Sequence, residues 1–104
     1  MIVIFSSVTL DPRRRADLDA EMAEWLAATA LERGAAEIYE YLVDPADPSK
    51  AYVFQAWPDD AAFAAWTERP AFSELLDRYR ADGAFSDVGA VVFEGCTGTR
   101  GGPL

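Results

Sequence analysis

Two helix-start signals cut this chain into a definite order of elements. Asp11-Pro12 places an N-cap acceptor before a proline at the first helical position, and Pro58-Asp59-Asp60 does the same work with Asp59 as the cap. Each signal follows a run rich in β-branched and aromatic residues and precedes apolar residues at helical spacing. The order that results is β-α-β-β-α-β. This is the α+β, ferredoxin-like arrangement: a four-stranded antiparallel sheet with its helices on one face.

The first strand is read over residues 2–10 and the first helix over 12–33. On that helix Leu18, Met22, Trp25, Leu26 and Thr29 share a face, and Gly34 is placed to end it. Residues 37–43 alternate as a strand, with Tyr39 and Tyr41 on one side and Ile38, Glu40 and Leu42 on the other. A turn with two prolines, 44–50, leads into a strand over 51–57. Both faces of that strand are mostly apolar, so it should be covered on both sides. Phe63 and Trp66 share a face of the second helical region, and Pro70 breaks it. A further helix carries Phe72, Leu75, Leu76 and Tyr79 to a stop at Ala81-Asp82-Gly83. The last strand is read over 87–94. The domain is therefore 1–94, and the glycine-rich residues 95–104 are expected to form a mobile tail.

The charge balance excludes several functions. Nine Lys and Arg against 18 Asp and Glu leave a net charge of -9, which argues against nucleic acid. The one dense basic run, Arg13-Arg14-Arg15, reads as a solvated first turn, with an anion or partner contact as the alternative. No histidine is present, so a His-ligated metal, a Ser-His-Asp triad and a Cys-His pair are all ruled out. The single cysteine, Cys96, cannot form an intrachain disulfide and is given no catalytic role. No apolar run reaches a membrane span, and Met1 to Phe5 lack a basic leader before them. A cytoplasmic protein with no membrane contact is the expectation.

Half of the residues are apolar, enough for a core. A domain this small still buries only about 60–65% of its unfolded surface. The helices cover one sheet face, and the other carries apolar side chains with nothing over them. An uncovered face of that kind predicts a homodimer, two sheets packed face to face.

The segment 34–72 resembles the core of the antibiotic-biosynthesis monooxygenase family of dimeric α+β barrels. The residues that carry the resemblance are Gly34, the aromatic strand Tyr39 to Tyr41, the acidic turn Asp44 to Pro48, Trp57, Asp59-Asp60 and Pro70 to Phe72. It extends over residues 1–94. It implies a pocket between sheet and helices in each subunit. It also implies, for some members, oxidation of aromatic polyketides with molecular oxygen and no metal, flavin or other cofactor. Trp57 matches the family's pocket tryptophan. Tyr41 stands where those oxygenases have a His, Val53 where they have an Asn, Phe63 where they have a Tyr, and Leu76 where they have an Arg. Trp66 and Ala71 stand where many relatives have His. The haem-degrading branch needs an axial His and is disfavoured.

Tyr41, Gln55 and Trp57 are the candidate catalytic residues. Tyr39, Val53, Phe63, Trp66, Trp25 and Phe72 are the candidate substrate walls; no metal ligand is expected. Gln55 is the most informative, because an amide among apolar neighbours needs a hydrogen-bond partner, from protein, water or ligand. The aromatic residues also read simply as core, and Tyr39 and Tyr41 as an amphipathic pair. Ser6 and Ser7 interrupt the first strand, one facing the helices and one the open face. Arg78 is the nearby candidate for the missing Arg. The reading that follows is a cofactor-independent oxygenase of an aromatic, polyketide-type small molecule in secondary metabolism. A non-oxidative cyclase or isomerase, and a non-catalytic binding protein, are the alternatives.

Overall fold

The computed structural model describes residues 1–94. Four strands, β1 (Ile2–Leu10), β2 (Ile38–Val43), β3 (Lys50–Trp57) and β4 (Phe85–Glu94), form one antiparallel sheet in the order β2-β3-β1-β4. The helices are α1 (Arg15–Ala28), α2 (Asp60–Thr67) and α3 (Pro70–Ala81). They pack on one face of the sheet, so the β-α-β-β-α-β reading is correct, with its second helix split at Pro70 as expected.

Both cap signals act as the sequence implies. The Asp11 side chain accepts from the Arg13 N–H, and Asp59 accepts from the Ala62 N–H at 2.8 Å. The first helix is shorter than 12–33, because a 3-10 turn precedes it at Pro12–Arg14 and another follows at Ala30–Arg33. The break has a local cause: Thr29 turns its hydroxyl back onto the Trp25 carbonyl at 2.7 Å. Gly34 sits in the right-handed region (φ -56°), so it does not form the left-handed helix end expected of it. That role falls at the end of α3 to Gly83, whose φ of 78° favours glycine. The last strand begins at Phe85, two residues earlier than expected, beside a register shift at Thr9/Leu10.

The arginine run is not a uniform solvated turn. Arg13 pairs with its own cap, Asp11, and Arg14 reaches Asp82 at 3.2 Å. Arg15 is largely buried. It pairs with Asp19 at 2.9 Å and donates to the carbonyls of Asp47, Pro48 and Lys50, so it clamps the β2–β3 turn to α1.

Two apolar clusters fill the space between sheet and helices. One joins Val8, Leu10, Leu18, Met22, Leu75 and Phe85. The other stacks Trp57 and Trp66 against Ile2 and Ile4. An aromatic side chain buries about 150–250 Å², so each tryptophan contributes roughly 4–6 kcal/mol of transfer free energy as an upper bound.

On the opposite sheet face Phe5 stacks on Tyr52 at 5.5 Å between ring centroids, with Phe54 beside them. Ile38, Leu42, Val91 and Phe93 are also exposed there. Within one chain β3 is thus covered on one side only, and its Tyr52 and Phe54 remain half-buried. The expected tail, with Cys96, lies outside the described residues. No helix among the described residues is long and apolar enough to cross a membrane.

Candidate active site

Strand pairing brings the sequence-predicted residues onto two neighbouring rungs of the sheet. Tyr41 lies opposite Val53, and Val53 opposite Ser6. On the next rung Tyr39 lies opposite Gln55, and Gln55 opposite Ile4. All six point to the helix-covered side, because residues two apart on a strand share a face. Above them α1 contributes Met22, Trp25 and Leu26, and α3 contributes Phe72, Leu75 and Leu76. The space enclosed is a cavity of about 90 Å³ where the two apolar clusters meet. Its polar features are few: Ser6, Gln55 and the two tyrosine hydroxyls. None of its walls is a carboxylate, Lys or Arg.

Of the nine residues named from the sequence, six line this cavity: Tyr39, Tyr41, Val53, Gln55, Trp25 and Phe72. Trp57, Phe63 and Trp66 do not. Trp57 is 1% exposed and packed between Phe63 and Trp66 with ring centroids 6.2 and 6.5 Å away. It meets the cavity wall at Tyr39, whose ring stands edge-on with centroids 6.4 Å apart, and at Gln55, whose Oε1 accepts from its indole Nε1 at 2.9 Å. The indole N–H can only donate, so this bond fixes which end of the Gln55 amide is oxygen.

The two tyrosines differ in environment. The Tyr41 hydroxyl donates to Asp19 Oδ1 at 2.8 Å, and burial with that carboxylate pushes its pKa far above the ordinary tyrosine range. Tyr41 is therefore no base at neutral pH. Tyr39 makes no such bond to a carboxylate. Its pKa is raised by burial, against which the Trp66 indole N–H and the Arg33 guanidinium act in the opposite direction. The Trp66 N–H is itself buried and completes no hydrogen bond of good geometry.

Arg33 is the residue that sequence reasoning missed. Its guanidinium lies 4.7 Å from the ring centroid of Tyr39, 5.3 Å from Trp66 and 5.7 Å from Trp25. It donates to the Leu26 carbonyl at 2.7 Å and to Thr29 Oγ1, and burial lowers its pKa. The only signal was its position one helical turn after Thr29 and two after Trp25.

Arg78 does not enter the cavity. It stacks on the Tyr79 ring at 4.8 Å, donates to that hydroxyl and lines a separate cleft with Trp25, Thr29 and Glu74. Leu76 occupies the cavity wall instead. Ser6 faces the cavity and Ser7 the open sheet face, as their alternation requires.

The profile of the family described as "Antibiotic biosynthesis monooxygenase" matches residues 1–78. The chain belongs to the antibiotic biosynthesis monooxygenase family. The fold of this family member agrees with solved structures at low identity. A candidate antibiotic biosynthesis monooxygenase from Deinococcus radiodurans superposes with a TM-score of 0.82 at 15% identity, over 96% of this chain and 97% of that one. A Pseudomonas aeruginosa protein gives 0.76 at 19% identity, over 92% and 94%. A candidate antibiotic biosynthesis monooxygenase from Nitrosomonas europaea gives 0.78 at 15%, over 93% and 100%. At these identities the likeness concerns the fold. No curated protein matches the chain. Gln55 and the tyrosine pair are this family member's own polar groups, at positions read from its strand register.

Proposed function

We propose that this family member is a cofactor-independent oxygenase of a small aromatic molecule. The observation that carries the reading is the cavity: apolar, walled by Trp25, Tyr39, Tyr41 and Phe72, and floored by Ser6 and Gln55. A flat, weakly polar ligand suits such walls. An engineered apolar cavity of about 150 Å³ holds benzene. At about 90 Å³ this one has room for a small ring system once a flexible wall such as Met22 or Leu26 yields. A polycyclic polyketide requires a larger opening, so a compact phenol or enol is the preferred substrate class.

The chemistry is that of an electron-rich substrate anion. A carbon acidified by a neighbouring phenol or enol loses its proton and attacks oxygen, giving a peroxide. Loss of water then leaves a carbonyl, so that CH₂ and O₂ become C=O and H₂O. No wall residue is a competent base at neutral pH, since burial raises both tyrosines. The substrate must therefore be acidic enough to surrender its proton to water, while the protein orients it and excludes bulk solvent.

The test is oxygen uptake by metal-free protein with a panel of acidic monocyclic and bicyclic phenols. A rate above buffer, absent in boiled protein, supports the reading. No rate with any of them counts against it. The lack of a wall base equally favours a non-oxidative or purely binding role. Product formed without oxygen would select the cyclase or isomerase reading, and ligand binding without product the binding protein.

The open sheet face belongs to the same proposal. Phe5, Tyr52, Phe54, Val91 and Phe93 form an apolar surface that a second copy of the chain would cover, giving a homodimer with one cavity per subunit.

A further inference from the structure

The chain has four tyrosines, and three of them give their hydroxyl proton to a carboxylate. Tyr41 donates to Asp19 at 2.8 Å, Tyr52 to Asp44 at 3.0 Å and Tyr79 to Glu21 at 3.0 Å. Tyr39 is the exception. Around its ring stand two groups that can only donate: the Arg33 guanidinium, 4.7 Å from its centroid, and Trp66, whose ring lies edge-on at 5.8 Å with a buried N–H that lacks a partner. Toward such neighbours the Tyr39 oxygen can serve only as an acceptor. Its own proton is left for something else.

Gln55 is the cross-strand partner of Tyr39, and its polarity is set in the same way. Trp57 Nε1–H occupies Oε1 at 2.9 Å, which turns the Nε2 amide to be the free end. That amide makes no hydrogen bond within the described residues, on a side chain only 5% exposed. Both residues line the cavity. Two side chains with a donor to spare thus stand side by side on one rung, and Trp57 already takes one lone pair of the Gln55 oxygen.

We propose that Tyr39 Oη–H and Gln55 Nε2–H₂ form a donor pair that holds an acceptor-only oxygen of the bound molecule, a carbonyl or an enolate or phenolate oxygen, and that this pair sets ligand specificity. The assignment rests on the cavity being the ligand site, as in the function proposed above. It names what that site selects. A hydroxyl that must donate is served less well on this rung, because Trp57 already takes one lone pair of the amide oxygen and donor-only groups stand around the phenol. An apolar ligand over the pair leaves both donors without an acceptor, at the cost of a lost hydrogen bond each.

The probe pair is 4-fluoroacetophenone and 4-fluorocumene, which share shape and differ by the carbonyl. Binding is followed by ¹⁹F NMR titration of the full chain. Tyr39→Phe removes one donor and keeps the ring under Arg33. Gln55→Met removes the other donor, together with the acceptor for Trp57, at nearly the same side-chain length. Each substitution is expected to weaken the ketone about three- to tenfold, the worth of one hydrogen bond, and to leave the hydrocarbon unchanged or tighter. Equal losses for both probes, or no ketone binding at millimolar concentration, would overturn the pair. Circular dichroism checks that each variant folds. If one does not, the other variant and the wild-type preference for ketone over hydrocarbon at matched hydrophobicity still decide. Oxygen plays no part in this readout. The donor pair can therefore stand while the oxygenase reading fails, and oxygen uptake with no ketone selectivity would sink the pair alone.

Discussion

The Tyr41 hydroxyl donates a 2.8 Å hydrogen bond to Asp19 Oδ1, joining the wall of the cavity to helix α1. Arg15 holds the same carboxylate through its Nε at 2.9 Å. The three residues form a chain from the β2–β3 turn to the cavity, in which the Tyr41 hydroxyl is held by Asp19.

Tyr41→Phe keeps the ring and loses that bond. The expected cost is about 0.5–1.5 kcal/mol, the net worth of one part-buried hydrogen bond. For a domain near this size that lowers Tm by a few degrees, on the order of 4–8 °C per kcal/mol. Thermal melts by circular dichroism measure it. A loss of binding far beyond the loss of stability would show the hydroxyl to be in direct contact with ligand.

Stability should fall at alkaline pH. The folded chain raises the pKa of all four tyrosines, by burial for Tyr39, Tyr41 and Tyr79 and first by the Asp44 bond for Tyr52. Above about pH 10, the ordinary tyrosine value, the unfolded chain has released protons that the folded chain retains. The folded state's advantage is thus complete below that pH and lost as pH rises through the folded values. Urea titrations between pH 8 and 11 should give a falling midpoint, and Tyr41→Phe should flatten the slope.

Acid acts through other residues. Asp11, Asp44, Asp47 and Asp82 are all held below their usual pKa by hydrogen bonds from Arg13, Ala46, Ser49 and Arg14 respectively. Their contribution is present above about pH 4 and is lost as pH falls through the folded values. Melting points recorded from pH 6 to pH 2 should decline, and Asp82→Asn should remove part of that decline.

Arg33→Met should destabilise the chain by on the order of 1 kcal/mol. It removes a cation shared by three rings and a donor to the Leu26 carbonyl. Tryptophan emission should change with it, because Trp25 and Trp66 are two of the rings. Unaltered emission and an unaltered melt would mean that the stacking contributes nothing measurable.

The open sheet face gives a test by mass. Phe5→Glu puts a charge at the centre of the proposed interface, beside Tyr52 and Phe54. Light scattering should report a dimer for the wild type and a monomer for the variant. A monomeric wild type at micromolar concentration would remove the interface.

Local signals explain what was legible in the sequence. The caps Asp11 and Asp59 act on backbone two or three residues away, and the strand alternation of Tyr39 and Tyr41 needs only pleat geometry. Gln55 stood out because it is an amide among apolar side chains. What sequence reasoning could not reach depends on partners far along the chain. Asp19 meets Tyr41 across 22 residues, and Glu21 meets Tyr79 across 58. It is the family resemblance that puts Trp57 at the pocket. Phe63 and Trp66 cover it, and only the helix packing decides that. Arg33 near a helix end reads as an ordinary exposed cation. Its burial among rings follows from the 3-10 turn that Thr29 introduces.

Strand β1 lies between β3 and β4, and its register with β4 pairs Ile2 with Glu94. The first strand of this sheet in chain order is thus the one that waits longest for its second neighbour. Contacts of such high sequence separation close slowly, since the loop entropy is lost before the pairing repays it. During synthesis Val3 and Phe5 remain without β4 until the last strand has emerged. Nascent chains of this protein should therefore engage chaperones late into translation, and truncations before Phe85 should be the aggregating ones.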